Sequence, residues 1–249
     1  MNDIFVYPLQ NSKEYKDIIN CINNNKGSLL INGLLAVQKP HIAYSMYRDL
    51  NRQTIFITNS DLEAKKVYDD LSFYMKDKVE YIGFQDILFY HLDAKDRSEE
   101  AKRLKVLLKL AKGENIILVT SIEAVMRKYI PKEILLENIY TYKIGDVINL
   151  EKLSETLVNL GYERVSKIEG FGQFSIRGGI VDIFSLEYNN PIRMELFDDE
   201  IDSIRTFDVF SQKSIDKIKK VVITPSREFI YPEDTTSAVE KIKEETNKY

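Results

Sequence analysis

In 249 residues the chain has no tryptophan, one cysteine and two histidines. The single thiol, Cys21, excludes an internal disulfide and suits a reducing compartment. His41 and His91 with one distant thiol cannot assemble a metal cluster, and neither has a companion signature such as G-x-S-x-G. Neither a metal site nor a catalytic residue is expected. No apolar run reaches the roughly 20 residues that a membrane-spanning helix needs. The opening MNDIFVYPLQNSKEYKD lacks the basic and apolar regions of a secretory signal, so a cytoplasmic protein is expected. Basic excess is missing too: the formal net charge is −4, which argues against a protein that coats nucleic acid. What is present is a chain 44% hydrophobic, long enough to bury a core in two modest domains.

The first half alternates strand and helix patterns. Ser28–Asn32 (SLLIN), Thr54–Thr58 (TIFIT), Val79–Ile82 and Ile116–Val119 read as short buried-type strands. His41–Leu50, Asp61–Met75 and Ser98–Ala111 read as helices, the last with acidic residues at its start, lysines at its end and Gly113 as its stop. This alternation predicts a parallel sheet with crossover helices, an α/β domain.

The loop after SLLIN, Gly33-Leu34-Leu35-Ala36-Val37-Gln38-Lys39-Pro40, has the placement of a phosphate-binding loop with G-x-x-x-x-G-K-[ST] spacing. Gly33 and Lys39 are in register, but Gln38 replaces the second glycine and Pro40 the hydroxyl residue. A side chain at Gln38 resists the backbone conformation that lets amides surround phosphates. Pro40 has neither N–H nor hydroxyl for phosphate or Mg²⁺, although it suits the first turn of a helix. The expectation is a nucleotide-site relic.

After about Pro131 the pattern changes. Asn149 can cap a helix at Leu150–Leu160 that Gly161 ends. Short alternating strands follow near Arg164–Ile168 and at Gln173–Ile176, Val181–Phe184, Ile192–Phe197 and Ile201–Phe207. Gly178-Gly179, Asn189-Asn190-Pro191 and Asp198-Asp199 supply the turns. This is a smaller α+β domain with antiparallel strands. Alternation points Ile192, Met194 and Leu196 inward and Arg193, Glu195 and Phe197 outward. Arginines with an outward aromatic ring are interface anchors, so Arg177, Arg193 and Phe197 mark a candidate docking face. The packing alternative pairs the arginines with Glu195 or Asp182 and tucks Phe197 beneath a loop.

Three other clusters are weaker. Asp198-Asp199-Glu200 reads as a hairpin turn rather than a metal or general-base site. Phe84–Asp93 lacks interleaved Lys or Arg and reads as packing rather than a nucleic-acid platform. Lys217, Lys219 and Lys220 form a basic run whose default is solvation, with phosphate contact as the rival. The charged segment Pro232–Tyr249 resembles one helix.

The block GQFSIRGGIVDIF…PIRMELFDDEIDSIRTFDVFSQKSI…ITPSREF closely resembles the N-terminal region of bacterial transcription-repair coupling factors. It is similar, more distantly, to the excision-repair helicase subunit UvrB. LVTSIEAVMRKYIP resembles the segment preceding the second module in both families. UvrB carries an intact phosphate loop and a long tyrosine-rich hairpin. Here the loop is degraded at Gln38 and Pro40, and only Gln85–Arg97 separates strand from helix, which favours the coupling-factor pattern. The resemblance implies a degenerate RecA-like, P-loop NTPase-like domain over 1–138, a UvrA-binding α+β domain over 139–226, and over 227–249 the truncated start of a segment returning to the first domain. It implies that Arg177, Arg193 and Phe197 contact UvrA, and that this stretch is monomeric, non-catalytic and without a cofactor. ATP, Mg²⁺, RNA polymerase and duplex DNA then belong to domains downstream. The enzyme alternative is a UvrB-like, ATP-dependent DNA helicase fragment; the third is a DNA-binding scaffold using Lys217, Lys219 and Lys220.

Overall fold

The computed structural model describes residues 4–24, 27–84 and 93–230, together with 243, 244 and 246. The chain divides into two compact units, Met1–His91 with Lys109–Lys128, and Leu92–Leu108 with Tyr129–Tyr249. In chain order it begins α1 (Tyr7–Gln10), α2 (Lys13–Asn23), α3 (Gln38–Leu50), β1 (Thr54–Thr58), α4 (Asp61–Tyr74) and β2 (Val79–Ile82). Next come α5 (Asp93–Ala111), β3 (Ile117–Ser121), α6 (Ile122–Val125), α7 (Lys132–Glu137), β4 (Tyr140–Lys143), α8 (Leu150–Asn159) and β5 (Glu163–Arg164). The remainder is β6 (Gln173–Arg177), β7 (Ile180–Ile183), β8 (Ile192–Phe197), β9 (Glu200–Phe207), β10 (Ser214–Lys217) and β11 (Lys220–Ile223).

The first unit is α/β. Its sheet has the order β1-β3-β2 with every pairing parallel. The central β3 is flanked on both sides, and Ile117, Leu118 and Val119 are all buried. Helix α4 starts where Ser60 Oγ accepts the Glu63 N–H at 3.3 Å, and it packs Ala64, Val67 and Leu71 into the core with Val79, Ile117 and Val119. Two expectations change here. Ser28–Asn32 is not a strand, and Leu29 and Leu30 are exposed. An extended segment becomes a strand only when a neighbour pairs its amides and carbonyls, and no described strand lies beside this one. TIFIT does form β1, yet Ile55 and Ile57 are exposed rather than buried because no described element covers that face of the edge strand.

The second unit is built on a six-stranded sheet of order β10-β9-β8-β7-β6-β5, antiparallel except for β5 with β6; β11 pairs separately with β4. Asn149 Oδ1 accepts the Lys152 N–H at 2.9 Å and caps α8. Gly161, at φ +85°, ends it in the left-handed conformation that glycine adopts without strain. One face of α8 delivers Leu153 and Leu157, with Leu160 beyond its end, onto Phe174, Val181, Ile183, Ile192, Met194 and Ile204. Each buried leucine stabilises by roughly 1.5–3 kcal/mol. Buried Tyr162 donates its hydroxyl to the Thr224 carbonyl at 2.8 Å, tying β5 to the segment after β11. Of the strand expected near Arg164–Ile168 only Arg164, with Glu163 before it, pairs in register with β6; the Val165 N–H still donates to the Phe174 carbonyl at 2.9 Å, and the chain bends at Ser166.

Candidate functional site

The register of the second sheet sorts its residues into rows. Ser175, Asp182, Arg193 and Arg205 lie opposite one another on successive strands, and Arg177, Ile180, Glu195 and Ser203 form the next row on the same face. The alternate rows (Phe174, Ile183 and Ile192; Ile176, Val181, Met194 and Ile204) turn toward α8. Period-two alternation therefore commits one face to the core and leaves the other polar.

Asp182 organises that polar face. Its side chain is only 3% exposed, and both oxygens accept from Arg193: Nε to Oδ1 at 2.6 Å and Nη2 to Oδ2 at 2.8 Å. Arg177 Nη2 donates to the same Oδ2 at 2.8 Å. The bidentate pair is the strong, geometrically specific form of a guanidinium–carboxylate contact. The hydrogen bond to Asp182 raises the Arg193 pKa above its ordinary value, against the opposing effect of burial. Arg193 Nη2 also donates to Gln212 Oε1 at 3.2 Å, and its guanidinium lies 4.4 Å above the Phe207 ring. Arg193 is thus outward in register but only 14% exposed, whereas Arg177 remains 52% exposed. The arginines do pair with Asp182, as the packing alternative has it. Glu195 instead accepts from Arg205 and Ser203.

Phe197 is not tucked beneath a loop; it is 82% exposed at the end of β8. The register shifts between Glu195 and Leu196, the signature of a bulge that re-aims a strand end. Asp198 then turns the chain at φ +60°. Arg177 lies beside this strand end because the Gly178–Gly179 turn packs against it. The Leu196 N–H donates to the Gly179 carbonyl at 2.8 Å, and a Cβ on Gly179 would stand 2.9 Å from the Leu196 carbonyl oxygen. The fold therefore brings Arg177, Arg193 and Phe197 to one face. Gln212 and Phe207, which hold Arg193 from a different strand and turn, carry no signal readable from sequence.

In the first unit, Gly33 has φ +84° and opens the turn before α3. Gln38 Oε1 accepts the Leu35 N–H at 2.9 Å, and the Gln38 N–H donates to the Leu35 carbonyl at 3.0 Å. The Lys39 N–H is likewise directed to the Ala36 carbonyl. The side chain that replaces glycine therefore takes a loop amide for itself. Pro40 is buried in the first turn of α3 and Lys39 is exposed.

Asp198-Asp199-Glu200 spans the β8–β9 turn. Among the described residues no cluster of three or more His, Cys, Asp or Glu is placed to hold a metal, and no helix is long and apolar enough to cross a membrane. Most of Phe84–Asp93, including His91, and most of Pro232–Tyr249 lie outside the described residues. So do most of Gln85–Arg97 and of the expected returning segment 227–249.

An α/β unit with a self-bonded loop, followed by a sheet unit with an arginine-bearing face, is the context in which the similarities to known proteins fall. Residues 141–229 match the family model described as the UvrB interaction domain. Beyond that domain, the chain is 33% identical over 236 residues to the transcription-repair-coupling factor of Bacillus subtilis, covering 94% of this chain and 20% of that protein. It is 34% identical over 213 residues to the Staphylococcus aureus factor (85% and 18%), and 33% over 208 residues to that of Staphylococcus epidermidis (83% and 18%). The chain thus spans about a fifth of the length of these relatives.

Proposed function

We propose that this chain is a non-catalytic, UvrB-mimicking recruitment module that binds UvrA through Arg177, Arg193 and Phe197. In the longer protein it would bring excision repair to stalled RNA polymerase. The observation that carries the reading is the Asp182-clamped arginine pair beside a ring left 82% in solvent. Two guanidinium groups held by one carboxylate beside an exposed aromatic ring are the residue types that dominate interface hot spots. Pre-ordering by Asp182 lowers the entropy lost on docking. Similarity to transcription-repair-coupling factors and the UvrB interaction domain match support the same partner. The Gln38 contact to Leu35 supports a loop that holds no nucleotide.

Mimicry of UvrB makes a direct test available. Unlabelled chain should displace labelled UvrB from UvrA, with an inhibition constant that rises with ionic strength, because exposed charges steer association. Simultaneous binding of UvrB and this chain to one UvrA site would refute the mimicry.

A further inference from the structure

Row by row, the polar face does not stop at Arg193. Arg205 stands directly opposite it on β9, and Lys217 stands opposite Arg205 on β10. Like charges facing one another across strands destabilise a sheet. Arg193 is answered by Asp182, but among the described residues Arg205 has only Glu195, and its Nε is buried without a hydrogen-bond partner there. Lys217 makes no ion pair among the described residues and is exposed. Arg177, Arg193, Arg205 and Lys217 therefore face two carboxylates, Asp182 and Glu195, on a chain whose net charge is −4. A positive island on an acidic protein is matched by an acidic partner.

An apolar anchor stands at this second end. Phe210, 90% exposed, sits in the β9–β10 turn, two residues before the Gln212 that bonds Arg193. The turn is fixed from within: Asp208 Oδ1 accepts from the Ser211 N–H and Oγ at 2.8 Å each, the Gln212 N–H donates to the Asp208 carbonyl, and Gln212 Nε2 to the Val209 carbonyl. A ring held in solvent by an internally bonded turn is pre-ordered for docking.

We infer that the docking face continues through Arg205, Lys217 and Phe210, and that this half takes an acidic protein surface with an apolar recess. The inference rests on the proposed docking of UvrA and extends it. Phe197 and Phe210 each hold an exposed ring that calls for an apolar recess, which a duplex phosphate backbone does not offer, so a protein occupant is favoured over nucleic acid.

The test is the affinity of the whole chain for UvrA, and separately for a mixed-sequence duplex, with Phe210→Ala/Lys217→Glu beside Phe197→Ala. Both altered side chains of the double variant are exposed, so its thermal midpoint serves as the folding control. The extension predicts at least a tenfold loss of UvrA affinity in the double variant, as for an anchor with its steering charge, and no change toward duplex. Undiminished UvrA affinity there, with Phe197→Ala still weakened, overturns the extension and leaves the docking reading intact. Duplex binding by the wild type that the double variant loses overturns the protein occupant. No UvrA binding by the wild-type chain overturns both.

Discussion

Replacing Asp182 by alanine removes the carboxylate that bonds both Arg177 and Arg193, and the cost divides unequally between them. Arg193, 14% exposed and lying over Phe207, is close to the buried limit, where removing one partner costs about 3–5 kcal/mol. Its remaining bond to Gln212 and its residual exposure place the expected loss near the bottom of that range, about 3 kcal/mol. Arg177 is half in water, so its share is screened to less than about 1 kcal/mol. A double-mutant cycle of Asp182→Ala with Arg193→Ala should then return a coupling at least about three times that of Asp182→Ala with Arg177→Ala. Urea unfolding followed by far-ultraviolet circular dichroism reads the global effect, since the chain has no tryptophan to report it. Amide exchange at Val181 and Met194, paired across β7 and β8, reads it locally. Equal couplings for the two arginines, or an Asp182–Arg193 coupling near zero, would refute the clamp.

Three further outcomes follow from the same contacts. Phe197→Ala should weaken UvrA binding by about 2 kcal/mol, roughly 30-fold, with an unchanged thermal midpoint because the ring touches mainly solvent. Burial raises the Tyr162 pKa above the ordinary value of about 10, so its stabilisation of the fold is complete below that pH and is lost as pH rises. Tyr162→Phe should therefore lower the midpoint at pH 8, through loss of the bond to the Thr224 carbonyl worth about 1 kcal/mol, yet flatten its fall between pH 9 and 11; a parallel fall would contradict the assignment. Wild type and Gln38→Gly should both show no ATP binding by calorimetry, because freeing the Leu35 amide leaves Pro40 without N–H or hydroxyl; saturable binding by the wild type would revive the helicase alternative.

Much of this face was legible because alternation in β8 is strict: Ile192 and Met194 inward, Arg193 and Phe197 outward. The Asn149 cap, the Gly178–Gly179 turn and the α8 stop at Gly161 were legible for the same reason, each being local. The burial of Arg193 was not. It depends on the register of β7 against β8, which sets Asp182 opposite it, and on Phe207 and Gln212 arriving from the far end of β9. Ser28–Asn32 failed in the opposite way: its residues suit a strand, but strand formation is decided by a neighbour. At Gln38 the sequence showed the missing glycine, whereas the amide taken by its side chain is a tertiary detail.

The central claim is that the arginine-and-phenylalanine face of the second unit holds UvrA. Calorimetric titration of UvrA with the wild-type chain and with Arg177→Glu/Phe197→Ala tests it most directly, since both positions are exposed and the Asp182–Arg193 pair is left in place. The account predicts saturable binding by the wild type and at least about a hundredfold loss in the variant, with native circular dichroism retained and a thermal midpoint lowered modestly by loss of the Arg177–Asp182 bond. Equal affinity of the two proteins for UvrA would contradict it.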